Sequence, residues 1–193
     1  MLAELFEARG TAYSVMMRLR PLFSFILAQW PWIALASSLS MLAIAHGFER
    51  FGGLAPCALC LHQREAYWIA AAIATLALLA RRMEGAELTN RALNLLLTLA
   101  FVGGAIVAGF HMGVEYKWWP GLPSCTAASS GAVPTDLLGA LNQPLHVVGC
   151  DEAPWIFLGL SMAGWNMLIS LKLAIYSGLS VFYPRGLTER SDV

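Results

Sequence analysis

Charged residues are scarce in this sequence. Only 12% of the 193 residues are Asp, Glu, Lys or Arg, and 58% are hydrophobic, whereas an ordinary soluble domain carries about 25% charged residues. So few charges cannot cover the exterior of a soluble domain of this length, which indicates that lipid is the solvent. Net charge is zero and like charges form no run, so the charge pattern does not predict a nucleic-acid surface.

Long uncharged stretches predict an all-α, integral membrane four-helix bundle that forms a single membrane domain over residues 1–193. A span needs about 20 helical residues, and the predicted spans lie at about 22–45, 61–80, 92–114 and 153–175. A cleaved signal peptide is the alternative for the first span. It is disfavoured because the apolar stretch exceeds the roughly 7 to 15 residues of such peptides.

Basic residues predict the orientation of this bundle. Three of them, Arg50, Arg64 and Lys117, lie on the side of the two loops at about 46–60 and 115–152. The other nine lie on the side of the N-terminal segment 1–21 and the C-terminal tail 184–193: Arg9, Arg18, Arg20, Arg81, Arg82, Arg91, Lys172, Arg185 and Arg190. By the positive-inside rule both termini are cytoplasmic and the loops face the outer compartment.

The second loop is long and contains several turn-forming Pro and Gly residues. Within it Val133, Leu137, Leu138 and Leu141 share one helical face over a short segment. This pattern fits an interfacial helix on the membrane surface, and it fits equally well a short helix packed on the ends of the bundle. Both interpretations stay open.

The chain has four cysteines, Cys57, Cys60, Cys125 and Cys150, and all of them fall in the two outer loops. Four cysteines allow three disulfide connectivities, which the sequence leaves open. Cys57 and Cys60 form a C-x-x-C motif just before the second predicted span, directly after Pro56, a residue suited to the first turn of a helix. A helix N-terminus stabilises a thiolate, the form that attacks disulfides, so the motif indicates redox chemistry.

Arg64 follows Cys60 by four residues, so on a helix the two side chains share one face and a positive charge can lie beside the sulfur. An ionisable residue at membrane depth indicates a function, although Arg64 also suits a headgroup anchor. His111 closes the third span on the same side, where it can bind a polar ligand or cap the helix. A metal site is not predicted, since Cys125 and Cys150 lack the paired spacing of zinc ligands.

These residues resemble the DsbB family of bacterial disulfide bond formation proteins. The resemblance rests on residues 56–64, whose sequence is Pro-Cys-Ala-Leu-Cys-Leu-His-Gln-Arg, on Pro123-Ser124-Cys125 and Gly149-Cys150-Asp151, and on the segment 155–162. It spans about residues 20 to 175. It implies a thiol:quinone oxidoreductase of the bacterial inner membrane that reoxidises a periplasmic DsbA-like thiol oxidase and supports disulfide bond formation.

The resemblance also implies a role for each cysteine. Cys125 would be attacked by the partner's thiol, and Cys125 and Cys150 would form a disulfide that is reoxidised through the first pair. Cys57 and Cys60 would be the pair linked to the quinone, with the thiolate on Cys60. The surroundings depart from the best-known member of the family at residues 62–63 and across 126–148, which leaves the partner's identity open.

Ubiquinone or menaquinone would be the electron acceptor, bound by Cys60 and Arg64, with Arg64 polarising the quinone oxygen. His111 matches a family position near the quinone. Two alternatives remain. One is a vitamin K epoxide reductase-like enzyme, which usually carries its C-x-x-C motif late in the chain. The other is a non-catalytic membrane protein with two structural disulfides, whose cysteines would be inert.

Overall fold

The computed structural model is mainly helical and describes residues 21, 23–122, 146–147 and 149–182. Its long helices are α1 (Trp30–Gly52), α2 (Ala58–Ala80), α3 (Glu87–Glu115) and α4 (Met162–Phe182), and residues 23–28 are helical as well. Its strands have two residues each: β1 (Leu54–Ala55), β2 (His146–Val147), β3 (Ile156–Phe157) and β4 (Leu160–Ser161). The mainly helical class predicted from the long uncharged stretches is confirmed.

Proline and glycine define the ends of α1. Pro31 lies in its first turn, where the missing N–H costs nothing because the first N–H groups of a helix have no partner within the helix. The same proline cannot continue the preceding helix, which accounts for the turn at Gln29. At the other end Gly53 adopts a left-handed conformation with φ 64°, and its N–H donates to the carbonyl of Phe48. The chain then leaves α1 and enters the short strand β1.

The helices pack through small side chains. Helix α3 contacts α4 most extensively and also contacts α2, while α2 contacts α1. Ala34, Ala70, Ala74 and Ala108 are fully buried, and small residues of this kind let helices approach closely in a membrane, where apolar surface alone does not drive association. The larger buried side chains of this core are Trp30, Leu42, Tyr67, Leu97, Phe101 and Leu173.

Two short strand pairs lie at the ends of the helices. Parallel pairing of β1 with β2 joins the first loop to the end of the second, with Leu54 opposite His146 and Ala55 opposite Val147. Strands β3 and β4 form an antiparallel hairpin. The hairpin turns at Leu158 and Gly159, both with positive φ.

This hairpin corrects the helical span predicted at 153–175, because α4 begins only at Met162 and extends to Phe182. Hydropathy cannot separate an apolar hairpin from a helix. The two positive φ values at the turn prevent a helix there.

Within the described residues, three helices are long and apolar enough to cross a membrane: α1, α3 and α4. Helix α2 has 23 residues, as many as α1, but polar residues at 62–65 lower the hydropathy of its first turns. The predicted segments 1–20 and 184–193 and the short helical pattern near Leu137 lie outside the described residues.

Candidate functional site

Cys57 is the N-cap of α2. Its backbone is extended, with φ −75° and ψ 171°, and its Sγ accepts a hydrogen bond of 3.3 Å from the backbone N–H of Cys60. Pro56 precedes the N-cap and lies outside the first turn. The sequence prediction that the C-x-x-C motif begins a helix is therefore confirmed, and the first cysteine itself caps that helix.

Cys57 and Cys60 are free thiols whose sulfur atoms lie 2.9 Å apart. Nε2 of His111 lies 3.7 Å from the sulfur of Cys57. The side-chain hydrogen bonds with Cys60 and with His111 hold the pKa of Cys57 well below its usual range, although burial opposes the shift. These contacts favour a thiolate on Cys57, whereas the family resemblance implied a thiolate on Cys60.

His111 is buried in α3, with 4% of its surface exposed. Its Nδ1 lies 2.8 Å from Nε2 of Gln63 on α2, and its Nε2 lies 3.9 Å from Oε1 of Glu115, one turn later on α3. The imidazole therefore has a polar partner at each nitrogen, one of them a sulfur of the C-x-x-C motif. The sequence left two roles open for His111, binding a polar ligand or capping the helix, and its contacts with polar side chains at both ring nitrogens fit the first better than the second.

Arg64 lies at the same end of α2, but its guanidinium reaches across to α1. Nη1 donates to Oε2 of Glu49, and Nη2 donates to the carbonyl oxygen of Ala45 at 3.2 Å. Its contacts among the described residues are thus with α1 rather than with Cys60, which the four-residue spacing had suggested. The carboxylate neutralises part of the charge and fixes the orientation of the guanidinium.

Cys150 is disulfide-bonded and 1% exposed. It forms a small apolar cluster with Leu59 and Val114, and Cys57 packs against that cluster. The β1–β2 pairing explains this proximity, since it holds the chain before Cys57 beside the chain before Cys150. Cys125 lies outside the described residues, so its predicted pairing with Cys150 stays a prediction.

A cavity of about 320 Å³ opens beside the two thiols. Its polar end lies near the start of α2 and the end of α3 and consists of Cys57, Cys60, Gln63, Arg64, His111 and Glu115. Tyr67, Asn166 and Glu152 add further polar groups, and the other walls are mainly apolar side chains of α1 and α4 together with Trp155 and Phe157. Small-molecule sites usually have this character, with apolar walls, a few convergent polar groups and a volume of roughly 300 to 1,000 Å³.

The same polar end offers three metal-ligating atoms. The two sulfurs and one ring nitrogen of Cys57, Cys60 and His111 lie within 4.8 Å of one another. A structural zinc site takes about four such ligands, and within the described residues the group has three members. The sequence expectation that the chain holds no metal stays a prediction.

Sequence reasoning missed Gln63, Asn166 and Glu49. Nδ2 of Asn166 on α4 donates to Oε1 of Gln63, so the amide of Gln63 joins α4 to His111 on α3. A buried amide in an otherwise apolar helix is the signal that marks Asn166, because an unpaired polar group is costly in lipid. Nothing in the spacing of Glu49 indicates its partner.

Comparison with known proteins gives a consistent result. Residues 28–180 match the family model described as disulfide bond formation protein DsbB. The chain is 35% identical over 140 residues to disulfide bond formation protein B of Methylococcus capsulatus, covering 72% of this chain and 84% of that protein. It is 34% identical over 153 residues to the protein of the same name from Marinobacter nauticus, covering 75% and 85%. No solved structure matches the chain.

Proposed function

The chain belongs to the DsbB family of disulfide bond formation proteins, and from that premise we propose that it is a membrane thiol:quinone oxidoreductase. It reoxidises a periplasmic DsbA-like dithiol protein and passes the electrons to a membrane quinone, either ubiquinone or menaquinone. The observation that carries the proposal is that both thiols of the Cys57–Cys60 pair line an apolar-walled cavity, while Cys57 also packs against the cluster that contains the disulfide-bonded Cys150.

The proposal places four helices across the bacterial inner membrane. Helix α2 is the fourth span in addition to the three apolar helices, since its 23 residues correspond to roughly 35 Å at about 1.5 Å per residue. Its polar first turns then lie at the outer surface. Both termini are cytoplasmic and the cysteines face the periplasm, in agreement with the distribution of basic residues.

Electrons enter at the second loop. Two thiols of the partner protein become a disulfide, while the Cys125–Cys150 disulfide becomes two thiols. These thiols then reduce the Cys57–Cys60 disulfide by the same exchange, in which each new S–S bond releases one thiolate. The packing of Cys57 against the cluster that contains Cys150 supports this second exchange, because the two pairs need not travel far to meet.

The dithiol faces the cavity that we assign to the acceptor. A quinone bound there accepts two electrons and two protons, so one dithiol reduces one quinone and becomes a disulfide. The apolar walls suit the ring and tail of such a molecule. At the polar end, Arg64 supplies a fixed positive charge that stabilises negative charge on the acceptor oxygen, and Cys60 and His111 complete the binding surface.

Anaerobic mixing of reduced protein with ubiquinone or menaquinone, followed by quinone absorbance, tests the proposal. Wild-type protein is expected to reduce one of them, and Cys60→Ser is expected to abolish the reaction. Wild-type protein whose thiols have been alkylated serves as the control. Failure to reduce either quinone, or unchanged turnover in Cys60→Ser, would refute the proposed enzymatic function and favour a membrane protein with inert disulfides.

The electron donor is tested by trapping. In Cys150→Ser, Cys125 has no disulfide partner, so its thiolate can attack the disulfide of the oxidised donor protein, which forms a mixed disulfide and releases one thiolate of the donor. A DsbA-like protein is expected in that complex and can be identified by mass spectrometry. Recovery of the complex from Cys125→Ser instead would contradict the assignment of Cys125 as the attacked residue.

A further inference from the structure

A continuous series of buried hydrogen bonds connects the interior of the helices to the dithiol. On α4, Oγ of Ser170 lies 2.8 Å from the hydroxyl of Tyr67. That hydroxyl donates to Oδ1 of Asn166, and Nδ2 of Asn166 donates to Oε1 of Gln63. Nε2 of Gln63 in turn lies 2.8 Å from Nδ1 of His111. All five side chains are buried.

Donation along this series has one direction. The Tyr67 hydroxyl donates a hydrogen bond to the carbonyl oxygen of Asn166, so the amide nitrogen of Asn166 is the group that faces Gln63. The amide nitrogen of Gln63 then faces Nδ1 of His111, which must accept. A neutral imidazole has one donor and one acceptor nitrogen, so the ring proton of His111 is on Nε2.

The protonated nitrogen faces the reactive end of the site. From the start of α2, the sulfur of Cys57 lies 3.7 Å from Nε2. The sulfur of Cys60 lies within 4.8 Å of both Cys57 and the imidazole. From α3 itself, Oε1 of Glu115 lies 3.9 Å away. The partner contributed by α4 to this network is the uncharged Asn166. The charge of Arg64 is engaged with Glu49 on α1.

We infer that Gln63 is a positioning residue, oriented by Asn166 and Tyr67, that holds the proton of neutral His111 on Nε2 and thereby stabilises the thiolate of Cys57. The inference deepens the proposed function and rests on it, because the thiolate is the form that takes part in disulfide exchange. Gln63 acts through His111 and does not itself contact the sulfur in this arrangement.

The test uses the reduced, full-length protein in detergent, with no quinone and no partner. The rate of Cys57 alkylation is followed against pH by peptide-resolved mass spectrometry, and ¹⁵N shifts of labelled histidine report the tautomer of His111. Gln63→Leu is expected to raise the apparent pKa of Cys57 by about one to two units, the range for loss of a hydrogen bond to a charged group. Tyr67→Phe, which removes one hydroxyl further along the series, is expected to cause a smaller shift in the same direction.

Ser177→Ala is the matched control. Ser177 lies on α4 like Ser170 and Asn166, is fully buried, and accepts a hydrogen bond from Trp30 outside the series. It is expected to leave the alkylation profile unchanged, which separates the effect of the series from general loss of a buried hydrogen bond.

The inference is overturned if the wild-type ring carries its proton on Nδ1, as it would with both amides reversed, or if folded Gln63→Leu keeps the wild-type profile. If Gln63→Leu does not fold, the wild-type tautomer and Tyr67→Phe decide the question. Since the measurement needs no quinone, failure of quinone reduction with an Nε2-protonated ring would refute the proposed function and leave the positioning role supported.

Discussion

Gly104 should determine how closely α2 and α3 approach each other. It is buried on α3, and a Cβ added there would lie 3.2 Å from the Cβ of Ala66 on α2 and 3.6 Å from Oγ of Ser170 on α4. The 3.2 Å approach to Ala66 is tighter than an ordinary van der Waals contact and a Cβ cannot rotate away, so α2 and α3 must separate slightly, whereas the 3.6 Å distance to Ser170 is an ordinary contact. Gly103, the preceding residue, is exposed and has no such neighbour within 4 Å.

Comparing the free energy of unfolding of Gly104→Ala with that of Gly103→Ala therefore isolates the cost of crowding the added methyl group against α2. Both substitutions gain up to about 1 kcal/mol of helix propensity, and this gain cancels when the two variants are compared. Overpacking a well-packed core costs about 1 to 3 kcal/mol. We expect Gly104→Ala to be less stable than Gly103→Ala by this amount, measured by denaturant titration in mixed micelles with far-UV circular dichroism.

A double-mutant cycle sharpens the test. Ala66→Gly removes the methyl group that Gly104→Ala would meet, so the double variant should recover stability relative to the sum of the single changes. Residues in contact show coupling of about 0.5 kcal/mol or more. Equal stability of the two alanine variants, or an additive cycle, would refute the claim that this contact sets the spacing.

Two further predictions concern charged pairs at the same end of the molecule. Arg64→Met should slow quinone reduction by on the order of 10²-fold, the effect of losing one hydrogen-bond donor at a developing charge. Glu49→Gln should slow it less. Equal rates for wild type and Arg64→Met in the anaerobic assay would contradict the assigned role of Arg64. Nζ of Lys117 lies 2.9 Å from Oδ2 of Asp151, and this contact lowers the pKa of Asp151. The stabilisation is therefore present at neutral pH and is lost as pH falls through that lowered pKa. Because the pair is exposed, Lys117→Ala should cost no more than about 1 kcal/mol of unfolding free energy and less in high salt, and a larger or salt-independent loss would contradict this.

The parts of the site that follow from local sequence could be predicted. A long uncharged stretch predicts a helix over most of its length, and a cysteine just before such a stretch predicts a thiol at a helix start. The motif at Cys57 and Cys60 satisfies both rules, and the structure places it at the start of α2. His111 could likewise be placed on the same side of the membrane as the cysteine motif, because it lies at the end of an apolar helix and the helix length fixes its depth in the membrane.

The parts that depend on contacts between helices could not be predicted. Helical periodicity places Arg64 on the face of Cys60, yet the guanidinium finds its carboxylate on α1. Periodicity describes one helix at a time and carries no information about which residue of a neighbouring helix lies opposite. The identity of Glu49 as the partner follows only from the packing of α1 against α2.

The contrast between satisfied and unsatisfied polar groups argues that the site is rigid. In the described part of the chain, the buried oxygens Oδ1 of Asn94 and Oε2 of Glu115 have no hydrogen-bond partner, whereas the atoms that link Asn166 and Gln63 to His111 are paired. In a low-dielectric interior, a satisfied network fixes its members and an unpaired group is costly. The imidazole is therefore oriented before any thiol ionises, so little reorganisation is needed when charge appears on Cys57. Glu115 differs from the paired groups, because it lines the same cavity and has one buried oxygen without a hydrogen-bond partner.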